Sequence, residues 1–562
     1  MIDEKTAELL VERFIRRIEQ ANTYFLMKIG SSIKKIRDLK PSEAQKLVQI
    51  LKYDGTYEEI IKEISKYTGL NVKEIDEIFS NYAKKDQLFY EKFYKYRDIP
   101  FTPFEQNSAL LMQTMALSNI AKREIYNFTR PSVLGYTIRD EKGIPRFYGL
   151  KETYNRVLNE ALLNVGQGKE TFDSAMTRIM KDIGGSGLKT IEFASGRSMR
   201  LDSAVRMHIQ DALRLLHNEN QKIIGEEFDY DGIEVTHHAN AAPDHIDTID
   251  GKQFALVDII KEHIEKGIPT EVDKIRGYQV WVDGKVYDDF NAVNNALQRP
   301  VSTLNCKHKT FTIILGVSKP EYTQEQLDED KKKNLDGFEF EGKHYSMYEG
   351  TQLQRMLERR IREEKDIQTL AKTSGNEFLA GESQHKITML THKYKELSDV
   401  SGLPTKAQRL RVSTYKRSAN ASKVYQNEIN KYKVGNFDIT KYDDKIKPTT
   451  NEVVFMPDRI EKNNIRHPKD IVYYEKIPEI LNNPDRVYKE IGKNKNTYWL
   501  TKEIDGNNIQ TIVKINTTSL YQSKELGYKN SIIHLHRIRN GYEQGKIKKG
   551  EIKLLFDNKS KK

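Results

Sequence analysis

Tyr278-Gln279-Val280-Trp281-Val282-Asp283-Gly284-Lys285-Val286-Tyr287 is the stretch that decides how this chain is read. Two alternating runs flank Asp-Gly, a dipeptide that accepts the left-handed backbone of a tight two-residue turn, so the segment predicts a β-hairpin. Around it the pattern is mixed. Gly232-Ile233-Glu234-Val235-Thr236 and Phe311-Thr312-Ile313-Ile314-Leu315 read as strands. Residues 203–228 read as one amphipathic helix with Val205, Ile209, Leu213 and Leu216 on one face and Asp202 or Ser203 as N-cap. Residues 196–320 are therefore expected to form an α+β unit.

Outward from that unit the chain is expected to be mostly helical. Residues 1–195 show apolar residues at helical spacing (Phe14, Ile15, Ile18; Ile60, Ile61, Ile64), punctuated at Asp54-Gly55 and Gly69-Leu70-Asn71 and broken by Pro100, Pro103, Pro131 and Pro145. Residues 321–440 read as a helical segment. Within it 346–373 mixes Arg355, Arg359, Arg360 and Arg362 with Glu358 and Glu363, which predicts a solvated face. Residues 405–433 read as a further helix, and 441–450, polar and ending in Pro448-Thr449-Thr450, as a linker. In 451–562, a helical stretch over 470–482 precedes short apolar runs at 497–500, 511–515, 531–536 and 552–556. That order predicts a small α+β domain with an antiparallel sheet. The fold class is thus multidomain: a mostly α N-terminal region, an α+β centre, a helical segment and a small α+β C-terminal domain.

Composition excludes several function classes. The 562 residues include one cysteine, Cys306, so no intramolecular disulfide is possible. The acidic start has no apolar core of a signal peptide, and no run reaches the ~18–20 apolar residues of a membrane span. The net charge is +11. Residues 451–562 hold 22 Lys+Arg against 14 Asp+Glu, a net of +8, so most of the excess sits in the last fifth. A small basic domain of this kind suits a polyanionic partner.

Two constellations carry chemistry. In the centre, His238, His245, Cys306 and His308 supply imidazole and thiolate ligands of the kind that hold tetrahedral zinc. Hydrogen-bonded structural histidines around a buried thiol account for the same residues, and nothing around Cys306 marks the oxyanion site of a cysteine protease. In the tail, His534 and His536 lie two apart on an expected strand and share a face, with Ile533 and Leu535 expected on the other. With His467, Lys514 and Arg537 they suit metal-independent RNA cleavage: an imidazole base for the 2′-hydroxyl, an imidazole acid for the leaving 5′-oxygen, and a cation for the phosphorane. A basic domain with incidental surface histidines is the alternative.

Gly168-Lys169-Glu170-Thr171-Phe172-Asp173-Ser174-Ala175, then Phe193 to Arg206, His238 to His245, Gly251, Asn305-Cys306-Lys307-His308 and Tyr348 to Arg355 resemble, in order, the phage minor capsid protein 2 family, similar to Mu F-type head morphogenesis proteins. The resemblance covers about 1–430. It implies a protein made in the bacterial cytoplasm and placed inside the virion head near the portal, with portal and capsid proteins and packaged DNA as partners. The family often has Arg at the place of Ala242, and Gly-Cys-Gly-Trp where this chain has Val301-Ser302-Thr303-Leu304. Arg466-His467-Pro468, Asn483-Pro484-Asp485, Asn496-Thr497, Lys514 and Asn530-Ser531-Ile532-Ile533 resemble the phage-associated barnase–EndoU–colicin–RelE-like nucleases over about 452–557. That resemblance implies His467 as acid or base, Lys514 as phosphate binder and Ser531 as substrate contact. Related domains tend to carry Thr at His534, which leaves His536 as the other second imidazole. Arg466, Lys529 and Arg537 are the expected nucleic-acid contacts. RNA, tRNA included, is the implied substrate. A purely structural tail that binds packaged DNA is the alternative, and an ADP-ribosyltransferase tail ranks last because no Glu-x-Glu strand element stands out.

Overall fold

The computed structural model describes residues 4–53, 55–69, 72–91, 94–95, 98–140, 142–192, 195–227, 229–258, 261, 265, 270–273, 277–301, 306–412, 415–417, 425, 427, 429–448, 450–491, 496–515 and 529–558. Asp54, Leu70, Asn71, Phe193, Ala194, Ser302 to Asn305 and most of 413–428 therefore lie outside the described residues. The chain forms two units. One comprises Met1–Val165, Ile179–Leu370 and Lys393–Tyr415, the other Gly166–Arg178, Ala371–His392 and Lys416–Lys562.

In the first unit, Glu4–Arg37 is a helix that buries Phe14, Ile15, Ile18, Phe25 and Ile29 at helical spacing. Shorter helices at Pro41–Tyr53, Thr56–Thr68, Val72–Leu88 and Ser108–Thr129 follow. The mostly helical N-terminal reading holds, with one addition. Leu134–Arg139 pairs antiparallel with Pro145–Gly149 and Lys189–Ile191, and Ser198–Arg200 completes a four-stranded sheet. Gly135 permits the close pairing: a Cβ there would lie 2.0 Å from the Tyr148 carbonyl oxygen.

The amphipathic helix runs Leu201–Glu226 and buries Val205, Ile209, Leu213 and Leu216. Asp202 is not its cap. Its carboxylate accepts from Arg200 Nε at 3.2 Å and pairs with Arg362, and these two guanidiniums hold it far below the usual carboxylate range against the opposing effect of burial. Arg362 belongs to the helix Met347–Ser374, expected to show a solvated face. The structure corrects that expectation: Glu358 and Asp366 are buried, and Asp366 accepts from Arg200 Nη2 at 3.2 Å. Mixed charge here marks an internal ion-pair network, which a linear sequence cannot distinguish from a wet face.

The hairpin forms as read. Gly277–Val282 pairs with Lys285–Asp288, and Asp283 and Gly284 turn at φ 48° and 78°. A separate three-stranded sheet has the order Thr310–Ile313, Gly232–Val235, Gln253–Ala255. Val235, Ile249, Phe254, Val293 and Val301 pack together beside it.

In the second unit a seven-stranded sheet has the order Lys433–Asn436, Glu452–Val454, Asn530–Ile538, Asn507–Lys514, Thr497–Ile504, Arg486–Glu490, Ile552–Asp557. All pairs are antiparallel except Glu452–Val454 with Asn530–Ile538. Helical turns Pro457–Arg466, Pro468–Lys476 and Ile477–Asn482 precede the third strand in sequence. The core includes Val453, Ile477, Ile480, Val487, Leu500, Val513, Ile532 and Leu535. The stretch read as a linker, 441–450, is packed rather than free: Ile446 joins this core, as do Phe437 and Ile439 just before the stretch, and Asp443 accepts from Lys489 Nζ at 2.6 Å and Tyr498 OH at 2.9 Å. Its polar residues hide one buried anchor, Ile446, with Tyr442 partly buried against the same core. Among the described residues no helix is long and apolar enough to cross a membrane.

Candidate functional site

Two histidine clusters form, one in each unit. The first grows out of the pairing of Gly232–Val235 with Thr310–Ile313. The ladder continues one step as Thr236 N–H donates to the Lys309 carbonyl at 2.9 Å and Lys309 N–H to Thr236 Oγ1 at 2.9 Å. This brings the chain after Thr236 beside the chain before Lys309, so His238 lies against His308, ring centroids 4.8 Å apart. The short helix Pro243–Ile246 delivers His245. Its Nδ1 lies 3.1 Å from His308 Nδ1, and Cys306 Sγ is 3.7 Å and 3.4 Å from those two atoms.

The outer ring nitrogens are each held. His308 Nε2 is 2.8 Å from Asp250 Oδ1, and His245 Nε2 donates to the Arg299 carbonyl at 2.7 Å. Asp250 also binds His237 Nδ1 at 2.7 Å and accepts from the His238 backbone N–H at 2.8 Å. Gly251 makes the turn possible after Asp250: its φ is +69°, and a Cβ would meet Leu327 Cδ2 at 2.5 Å. Burial alone would raise the Cys306 thiol, but hydrogen bonds from His245 and His308 bring it down to about 5. Burial would lower His308, yet Asp250 and Cys306 lift it to about 9. Burial would raise Asp250, and His237 and His308 pull it to about 2. The site is thus a thiolate facing imidazoles whose far sides are anchored, an arrangement that orients ligands toward a common point.

Of the four expected ligands, His245, Cys306 and His308 converge, with one ligand atom each within 4.8 Å of the others. His238 stands just outside. Its Nε2 is buried with no hydrogen-bond partner among the described residues, and burial followed by the nearby His308 pushes its ring down to about 4. An orphaned neutral imidazole nitrogen beside a Cys-His-His set fits a tetrahedral zinc donor set. Two residues absent from the sequence reading, His237 and Asp250, brace it from behind. An Asp twelve residues after a His carries no linear signal.

The second cluster is built on a bulge. Opposite Asn507–Lys514, the strand Asn530–Ile538 pairs Val513 with Ile532 but Ile512 with His534, so Ile533 is an extra residue. The alternation expected across 531–536 is corrected accordingly: Ile532 and Leu535 are in the core, and Ile533 is only half-buried. Residues directly opposite share a face. The bulge therefore places Ser531, His534 and His536 on the face of their partners Lys514, Ile512 and Gln510.

Beyond Ser531 this strand has a free edge, because Glu452–Val454 pairs only with Asn530 and Ser531. Side chains cover it. Asn463 Nδ2 donates to the Leu535 carbonyl at 2.9 Å, and Leu535 N–H donates to Asn463 Oδ1 at 3.0 Å. Two residues on, Arg537 N–H donates to Asp470 Oδ2 at 3.0 Å and Arg537 Nε to Asp470 Oδ1 at 2.6 Å. Asn463 and Asp470 thereby clamp the segment carrying His467 onto the strand. His467 Nε2 lies 2.9 Å from His534 Nε2, and the His467 ring stacks on His536 with centroids 5.1 Å apart. All three expected imidazoles come together, half-buried. His536 is pushed down to about 4 by burial and by His534 and His467, and is neutral at pH 7.

The cations are placed unevenly. Lys514 lies on the histidine face, and Arg466 is exposed. Arg537 is tied to Asp470 and Lys529 is ion-paired with Glu452. Ser531, expected to touch substrate, is fully buried, its hydroxyl donating to the Ile532 carbonyl at 3.3 Å. Gln510, opposite His536, escaped the sequence reading; its amide is fully buried with no hydrogen-bond partner among the described residues.

The family model for phage minor capsid protein 2 matches residues 2–399. The chain belongs to the phage minor capsid protein 2 family. The match contains the whole Cys306 cluster and ends before the seven-stranded sheet, so His467, His534 and His536 lie outside it. Membership makes this a virion-associated structural protein of the phage head, with other head proteins as its partners. No curated protein and no solved structure gives a significant match.

Proposed function

We propose that this minor capsid protein sits inside the head near the portal and carries, in its C-terminal unit, a metal-independent endoribonuclease delivered with the genome. The observation that supports the nuclease is the meeting of His467 with His534 at 2.9 Å beside His536, from segments 67 residues apart. A tail that only neutralised DNA phosphates would need Lys and Arg, not converged imidazoles.

The chemistry follows from the residues. One imidazole of the His467–His534 pair takes the ribose 2′-hydroxyl proton as the 2′-oxygen bonds to phosphorus. The other, protonated, gives its proton to the 5′-oxygen as the P–O5′ bond breaks, leaving a 2′,3′-cyclic phosphate. His536, neutral at pH 7, is unsuited to the acid role. Lys514 offsets charge on the phosphorane. At 2.9 Å the two Nε2 atoms occupy each other, so substrate must part the rings to seat a phosphate between them.

In the first unit, zinc held by His245, Cys306 and His308, with His238 turning in as fourth ligand, would cross-link the loops around the three-stranded sheet; such a structural zinc stabilises the fold. The second reading, a DNA-binding tail without catalysis, is favoured by the +8 charge of 451–562.

The test is incubation of the full chain with total bacterial RNA in EDTA at neutral pH, with end mapping and His467→Ala as control. Cyclic-phosphate ends lost in the variant support the nuclease. Salt-sensitive DNA binding with no cleavage selects the second reading.

A further inference from the structure

An acid–base pair needs two imidazoles, and the C-terminal unit brings three together. We infer that His467, His534 and His536 form a second transition-metal site, a three-imidazole face for Zn2+ with its remaining position open to solvent. This site is separate from the Cys306 cluster and lies outside the family match.

Geometry carries it. One nitrogen from each ring lies within 4.8 Å of the other two, and the closest pair is at 2.9 Å. Ligands of a tetrahedral zinc at its usual Zn–N length stand about 3.3 Å apart, so the observed spacing brackets the required one and small ring rotations close the difference. One ring has a carboxylate behind it. His467 turns Nε2 to the cluster while Nδ1 faces Asp470 Oδ2 at 3.9 Å, the carboxylate placed behind a ligating imidazole. His536 Nδ1 is buried with no hydrogen-bond partner among the described residues, so that ring is not committed elsewhere through this atom. Three imidazoles with no carboxylate among the converging groups select a late first-row cation over Mg2+ or Ca2+. The half-buried rings leave the site reachable from solvent.

Metal here would consume the lone pairs that RNA cleavage needs. On the nuclease reading, and only for this consequence, zinc silences the enzyme and its removal switches it on.

The experiment counts zinc per chain by elemental analysis after equilibrium dialysis of the full-length protein. Cys306→Ser is the background, so that the first cluster does not contribute thiolate binding. His534→Asn/His536→Asn in that background, checked for a native circular dichroism spectrum, is the comparison. The expected result is a loss of one zinc per chain in the comparison, with Co2+ giving a visible d–d spectrum in the background protein but not in the variant. Equal zinc contents overturn the site. His467→Asn is the second variant, outside the strand, should the double variant misfold, and equal content there overturns the site too. RNA cleavage is measured in parallel, in EDTA and with Zn2+ added back. Absence of cleavage in EDTA sinks the nuclease while the zinc count still decides the site. Cleavage that persists under saturating Zn2+ overturns the silencing.

Discussion

The two histidine clusters use the same side chain for opposite ends. In the first unit every outer nitrogen of the converging pair is held by Asp250 or a backbone carbonyl, and the cluster is buried. In the second the rings hold one another, half-exposed at a strand edge. Burial with anchored far sides makes a cross-link; partial exposure with mutually satisfied near sides makes a group that a substrate or an ion can part. The difference lies in the partners behind each ring, not in the histidines.

The largest expected contrast is catalytic. His467→Ala should cut RNA cleavage by about 10²–10⁴-fold while leaving thermal unfolding nearly unchanged. A variant that cleaves like the parent would make the second cluster another structural one. The mirror experiment is Asp250→Ala. It strips His237, His308 and the His238 backbone amide of a buried carboxylate and should cost about 3–5 kcal/mol of first-unit stability, with RNA cleavage unaffected. Denaturant melts read against cleavage decide it.

A smaller effect sharpens the same point through pH. Asp250 is depressed to about 2 in the fold, from the ordinary Asp value of 3.8. A depressed carboxylate contributes stability that is fully present above its unfolded value and is lost as pH falls through the folded one. First-unit stability should therefore drop by about 2 kcal/mol between pH 4 and 2 on this group's account, and Asp250→Asn should flatten that limb of the melting profile. The smallest effect is Asn463→Ala, which uncovers the strand edge at Leu535. About 1–2 kcal/mol of C-terminal stability and faster hydrogen exchange at the Leu535 amide are expected. Unchanged exchange would mean that the edge is covered some other way.

Much of the scaffold was legible. Asp283-Gly284 announced its hairpin because few residue pairs accept two consecutive positive φ values, and Val205, Ile209, Leu213 and Leu216 announced a buried helix face by spacing. The candidate ligands and imidazoles were legible as residue types. Their surroundings were not. The linker reading of 441–450 failed because Ile446 and Tyr442 find a core assembled from residues as distant as Leu535. The solvated reading of 346–373 failed because the partners of Arg362 and Asp366 lie some 160 residues away, at Asp202 and Arg200.

By itself the sequence determined the periodicities, the tight turns, the inventory of reactive groups and membership of the minor capsid family, since each depends on chemistry local in the chain. Tertiary structure decided what those groups do. The extra residue at Ile533 turns Ser531 onto the histidine face, and the Asn463–Asp470 clamp carries His467 to His534. A strand's face depends on which partner it pairs with, and an imidazole's chemistry on which atom stands behind it. Both are contacts between residues far apart in sequence, and only folding brings them within hydrogen-bond range.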